Sequence, residues 1–122
     1  MQHSSRFLKL VNEAKSRIRE TNTQEVKKRM DKGERLIVVD VREDNEVARG
    51  RIPGAVHMSK GVIERDIEKL IPHTETEIIL YCGGGYRSAL AADALRQMGY
   101  TNAVSMDGGW RMWVENGYPT EK

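Results

Sequence analysis

Apolar residues Phe7, Leu8, Leu10, Val11, Ala14 and Ile18 recur at helical spacing near the start of the chain. Thr23 or Asn22 is placed to cap a second helix running through Met30, which Lys32-Gly33 ends. The period then changes. LIVVDV (36–41) is β-branched, too short for a buried helix, and suited to a parallel strand covered on both faces. EDNEVAR reads as a short helical turn. GRIPGAVHM (50–58) reads as a turn feeding a short strand, because two glycines and a proline surround its apolar pair. Val62, Ile63, Ile67, Leu70 and Ile71 mark a helix stopped by Pro72, and IILYC (78–82) is the second strong strand. Residues 87–98 form a helix with Leu90, Ala94, Leu95 and Met98 inward, closed by Gly99. AVSM (103–106) is a further strand, and GGWRMWVENGYP a short last helix with its own glycine stop. Strand and helix alternate, so the fold class is α/β with a mainly parallel sheet.

A chain of 122 residues has room for one compact domain with a single core. Its 20 basic and 18 acidic residues alternate along the sequence, which leaves no basic stripe and argues against a nucleic-acid partner. No apolar run reaches the length of a bilayer, and MQHSSRFLKLVNEAK lacks the apolar core and cleavage site of a secretion signal, so no membrane partner and a cytoplasmic location are expected. The one cysteine, Cys82, cannot close an internal disulfide and fits a reducing compartment. His3, His57 and His73 are scattered and have no second cysteine beside them, so neither a metal nor another cofactor is expected.

Cys82 is also where the chemistry concentrates. It stands at the carboxyl end of a strand and is followed by Gly83, Gly84, Gly85, Tyr86 and Arg87, and in parallel α/β folds such strand ends are where ligands bind. Glycines that take up positive φ let successive backbone N–H groups curl toward one point, here the cysteine sulfur. The first turn of the following helix adds unpaired N–H groups and the positive end of its dipole, and Arg87 adds a full charge. The setting favours the thiolate and any anion the sulfur comes to carry. A lone cysteine is more often a small buried hydrophobe, but that role explains neither the glycines nor the arginine. A dinucleotide site is disfavoured because Ser88 stands where the third glycine of its fingerprint would fall, and no Gly-Lys-Ser/Thr follows to make a nucleotide-binding loop.

Three motifs in order, DVRE with Glu46 and GRIPGAVHM, then YCGGGYRS, then GGWRMWVENGYP, make the chain resemble a single-domain rhodanese, a sulfurtransferase. The resemblance covers 22–119. It implies a rhodanese-like domain over 22–122, with a central, mainly parallel sheet flanked by helices on both faces, and leaves the N-terminal helix read from the apolar spacing, 1–21, outside it. It also implies that Cys82 takes the outer sulfur of a small-molecule donor such as thiosulfate. The cysteine would carry that sulfur as a persulfide cradled by the amides of residues 83–87 and pass it to cyanide, a thiol or a thiol protein. Cysteine phosphatases and arsenate reductases share this fold but use C-x5-R. Cys82 and Arg87 form C-x4-R, a loop one residue shorter that suits a sulfur atom better than a phosphoryl group. Some rhodanese-like domains lack the cysteine and act as binding modules, a reading that the presence of Cys82 disfavours. Some relatives carry cationic side chains just after the cysteine; Gly83 and Gly84 offer only amides, so weak thiosulfate activity is expected.

By the same resemblance Asp40 and Arg42 support the active-site loop, with Asp40 the favoured partner of Arg87 because a buried guanidinium needs a carboxylate. Arg51 replaces the histidine common in the GHIPGA motif and is expected to face solvent. Trp110 and Trp113, three apart, should share one face in the core. Gly108 and Gly109 should permit close backbone approach near the loop. Tyr86, the loop's one bulky side chain, is expected to shape the mouth of the site, and His57 to be a hydrogen-bonded residue at a strand end.

Overall fold

A computed structural model describes residues 2–122. Strands β1 (Arg19–Asn22), β2 (Val38–Asp40), β3 (Val56–His57), β4 (Ile78–Tyr81) and β5 (Ala103–Asp107) form one sheet in the order β1-β5-β4-β2-β3, with every neighbouring pair parallel. The helices are α1 (Ser5–Lys15), α2 (Thr23–Asp31), α3 (Asp44–Val47), α4 (Ile63–Leu70), α5 (Tyr86–Gln97) and α6 (Gly109–Glu115), with a 3₁₀ turn at Lys60–Val62 leading into α4.

The central strand shows why both faces are covered. Ile78 and Leu80 of β4 join Ile63 and Ile67 of α4 and Ala91 and Leu95 of α5. Ile79 and Tyr81, pointing the opposite way by the two-residue period, join Val26 of α2 and Trp113 of α6. Each fully buried aliphatic side chain contributes roughly 1.5–3 kcal/mol, so neither face could be left bare. Cys82 continues the first set and is buried among it.

The N-terminal helix lies outside this sandwich and packs on α5. Ser4 caps it, accepting from the Phe7 amide at 3.2 Å, and Val11 and Ala14 are its buried residues. Just beyond it, the Arg17 guanidinium donates twice to Asp93 of α5 (3.0 and 2.8 Å), and Arg96 donates to the same carboxylate at 3.0 Å.

Two features depart from the sequence reading. Arg19–Asn22 is a strand that the hydrophobic pattern does not announce, because RETN is polar and lies at the sheet edge, where one side faces solvent and charged side chains are tolerated. The burial of α5 also differs. Leu95 is buried, but Leu90, Ala94 and Met98 are only half-buried, and Ser88, Ala89, Ala91, Ala92 and Asp93 are inside. The cause is α1: a helix covered by a sheet on one side and a second helix on the other buries small residues that allow close approach, rather than one large apolar stripe. Asn22 is the residue that caps α2, accepting from Glu25 N at 2.8 Å. Among the described residues, no helix is long and apolar enough to cross a membrane.

Candidate active site

Chain connections leave β2 toward β3 on one side and β4 toward β5 on the other, so the strand order reverses between β2 and β4. Such a reversal opens a crevice beyond the carboxyl ends of the two strands. Three loops meet there: residues 82–85 after β4, the segment into α3 after β2, and the start of α6 after β5.

Cys82 is 1% exposed, with its sulfur held by the loop that follows it. The amide of Gly85 donates to Sγ at 3.1 Å and that of Ser88 at 3.4 Å. The Ser88 hydroxyl lies 3.5 Å from Sγ and 2.8 Å from the Ser105 hydroxyl, both serines being fully buried. The amides of Gly84, Tyr86 and Arg87 make no hydrogen bond within the described residues and remain free for an incoming anion.

The glycines divide the work. Only Gly85 has positive φ, at 99°, so the expectation of positive φ at Gly83 and Gly84 is corrected. Gly85 alone makes the left-handed turn that starts α5 and brings its amide back to the sulfur. Gly109, at φ +54, serves another need: a Cβ there would overlap the Cys82 carbonyl and come within 2.9 Å of Gly83 backbone atoms. Its absence lets α6 dock on the loop, with Trp110 N donating to Cys82 O at 2.8 Å and Arg111 N to Gly83 O at 3.0 Å.

The partner of Arg87 is Glu46, not Asp40. Its two terminal nitrogens donate to the two Glu46 oxygens at 2.7 and 3.0 Å. This fork holds the Glu46 carboxyl well below the usual range, at about 2, with the Glu43 amide adding a further hydrogen bond. Asp40 instead engages Arg42. Its carboxylate accepts from the Arg42 amide (3.0 Å) and from the guanidinium (2.8–3.2 Å), which also donates to Gly50 O at 2.7 Å and lies 4.6 Å from the Trp110 ring centroid. The reassignment is geometric: Asp40 is buried at the end of β2, whereas α3 carries Glu46 out to the crevice where Arg87 stands.

Other residues fall as follows. Tyr86 lines the cavity above Cys82. Trp113 is fully buried and Trp110 half-buried, and both belong to the same core cluster, as their spacing predicts, with Trp110 also stacked against Arg42. His57 bonds to Arg42 O at 2.8 Å. Arg51 is half-exposed rather than free in solvent, tied to Glu121 by a backbone bridge and a 3.3 Å ion pair. Sequence reasoning missed His3, Phe7 and Arg111, which also line the cavity. No local signal marks them, since they come together only when α1 and α6 dock.

The family model for the Rhodanese-like domain matches residues 22–116. The Bacillus subtilis protein YtwF is 36% identical over 96 residues, covering 79% of this chain and 90% of its own. A sulfurtransferase of Allochromatium vinosum is 29% identical over 102 residues, covering 84% of this chain and 94% of its own. The solved structure of a Rhodopseudomonas palustris protein of unknown function, described as a possible tyrosine phosphatase, superposes with a TM-score of 0.88 at 29% identity. That match covers 99% of this chain and 98% of the other, α1 included. Sheet order, cysteine loop and family match converge, and the chain belongs to the rhodanese-like domain family.

Proposed function

We propose that the protein is a sulfurtransferase that carries sulfane sulfur as a persulfide on Cys82. The observation that carries this reading is the loop: two amides hold Sγ, and three more, at Gly84, Tyr86 and Arg87, stand free beside it. With thiosulfate as donor, the Cys82 thiolate attacks the outer sulfur, the sulfur–sulfur bond breaks, and sulfite leaves with the bonding pair. The persulfide anion is stabilised by the free amides and by the start of α5. Cyanide or a thiolate then attacks the outer sulfur, leaving as thiocyanate or a new persulfide, and Cys82 is regenerated as thiolate.

Phosphoryl transfer is disfavoured by Arg87. A loop arginine that clamps phosphate oxygens needs both terminal nitrogens free, and here both are spent on Glu46. Sulfurtransferase relatives at modest identity support the choice of class.

Intact-mass spectrometry after thiosulfate treatment tests the proposal. The protein should gain one sulfur atom, cyanide should remove it as thiocyanate, and Cys82→Ser should gain none while keeping its circular dichroism. Sulfur uptake by the serine variant, or phosphate release from an aryl phosphate faster than sulfur transfer, would overturn the proposal.

A further inference from the structure

The cavity above Cys82 has more room and more apolar wall than an inorganic anion requires. Its volume of about 470 Å³ falls in the range of organic-ligand pockets, roughly 300–1,000 Å³. One wall is aromatic and is built from two distant parts of the chain. Tyr86 opens α5 directly after the cysteine loop, His3 lies just before α1 and Phe7 in its first turn, with ring centroids 4.5 Å (His3–Tyr86), 5.2 Å (His3–Phe7) and 6.2 Å (Phe7–Tyr86) apart. Arg111 of α6 lines the same cavity, and its side chain has no hydrogen-bond or carboxylate partner among the described residues, whereas Arg87 is committed to Glu46.

We infer that Phe7 and Tyr86 are specificity-determining residues for an organic sulfane-sulfur donor, an anion with an apolar and preferably aromatic body. The inference rests on the persulfide reading above and narrows its substrate class. The donor's anionic end meets Arg111 and the free loop amides, and its body lies against Phe7 and Tyr86. For an organic thiosulfonate, the Cys82 thiolate attacks the terminal sulfur, the bond between the two sulfurs breaks, and the sulfinate leaves with the electron pair. The terminal sulfur stays on Cys82, and no oxidant or reductant is consumed. Thiosulfate, with no body, leaves the aromatic wall unused.

The test compares thiosulfate, the methanethiosulfonate anion and the benzenethiosulfonate anion as donors with cyanide as acceptor. Each kcat/KM is divided by the rate of the same donor with a small free thiol, which removes differences in leaving group. The corrected benzene-to-methane ratio should be roughly tenfold, the scale on which apolar pockets discriminate. Phe7→Ala should return it to within about twofold of unity. Val11 and Ala14 still hold α1 in that variant, which circular dichroism checks; Tyr86→Leu, which changes no residue of α1 and is checked in the same way, should also reduce the ratio. Arg111→Gln should raise KM for both thiosulfonates several-fold without changing the ratio. A corrected ratio near one in the parent, or an unchanged ratio in folded Phe7→Ala and Tyr86→Leu, overturns the inference while Cys82 still gains sulfur. Failure of all three donors to load Cys82, read by intact mass, overturns the sulfurtransferase reading and this inference with it.

Discussion

Gly83, Gly84 and Gly85 are chemically identical, yet the loop asks a different thing of each. At Gly85 the backbone is left-handed, and a side chain would also press on Asp107 and the Gly108 amide, at 3.2–3.4 Å. At Gly84 the φ angle is ordinary, and an added Cβ would meet only the edge of the Tyr86 ring at 3.3 Å. Gly85→Ala should therefore slow persulfide formation by roughly 100-fold, the usual cost of losing one anion-stabilising donor, and strain the backbone by about 1 kcal/mol. Gly84→Ala should stay within about threefold of the parent. Stopped-flow loading with thiosulfate, alongside thermal melts, separates the two. The sequence marks this segment as a cradle because nothing else explains three glycines after a strand-end cysteine. It cannot rank them, since φ is set by where α5 and α6 must lie. The partner of Arg87 is hidden for a similar reason: Asp40 and Glu46 are both carboxylates near one motif, and only the path of the chain through α3 decides between them.

At the level of elements, the loop after β2 is pinned by a buried ion pair. Arg42 is 3% exposed and Asp40 is fully buried. Removing the cation leaves a carboxylate in the interior without its guanidinium partner, a situation that typically costs about 3–5 kcal/mol. Arg42→Met should lower stability by about that amount in urea titration. Asp40→Asn combined with Arg42→Met should recover much of the loss, because no bare charge remains. If the single variant costs under about 1 kcal/mol, the pair does not hold the loop. Elements with a clear hydrophobic period, such as β2, β4 and α4, are legible from sequence because burial on one or both faces writes that period. β1 is not legible. An edge strand gains its place from hydrogen bonds to β5 rather than from buried side chains, and backbone hydrogen bonds leave no trace in residue type.

Across the whole molecule, α1 is fastened to the sheet sandwich by packing and by Asp93, which receives Arg17 and Arg96. The Arg17 guanidinium, with Arg96 beside it, lowers the Asp93 carboxyl from 3.8 to about 2. A carboxyl depressed in the folded state stabilises fully above its unfolded value and loses that contribution as pH falls through the folded one. The contribution is thus complete above about pH 4 and lost toward pH 2. Asp93→Asn should cost about 1 kcal/mol at pH 7, a value reduced for the solvent-exposed arginines, and almost nothing at pH 2. Equal losses at both pH values would show that packing alone, without charge, accounts for the effect. The amphipathic spacing of α1 was readable from sequence, but the surface it covers was not, because α5 advertises that contact only through small residues.

The pairing of β1 with β5 and the docking of α6 on the cysteine loop have a consequence for vectorial synthesis. On the ribosome, β1 and Cys82 emerge before the strand and helix that complete them. At about 5–20 residues per second, the nascent chain spends on the order of ten seconds with β1 unpaired. During the last part of that interval Cys82 is made, but its carbonyl and that of Gly83 lack the α6 amides that later fasten them. Throughout that window the thiol lacks the walls of the finished site, where it is 1% exposed and is met only by molecules that fit the cavity above it.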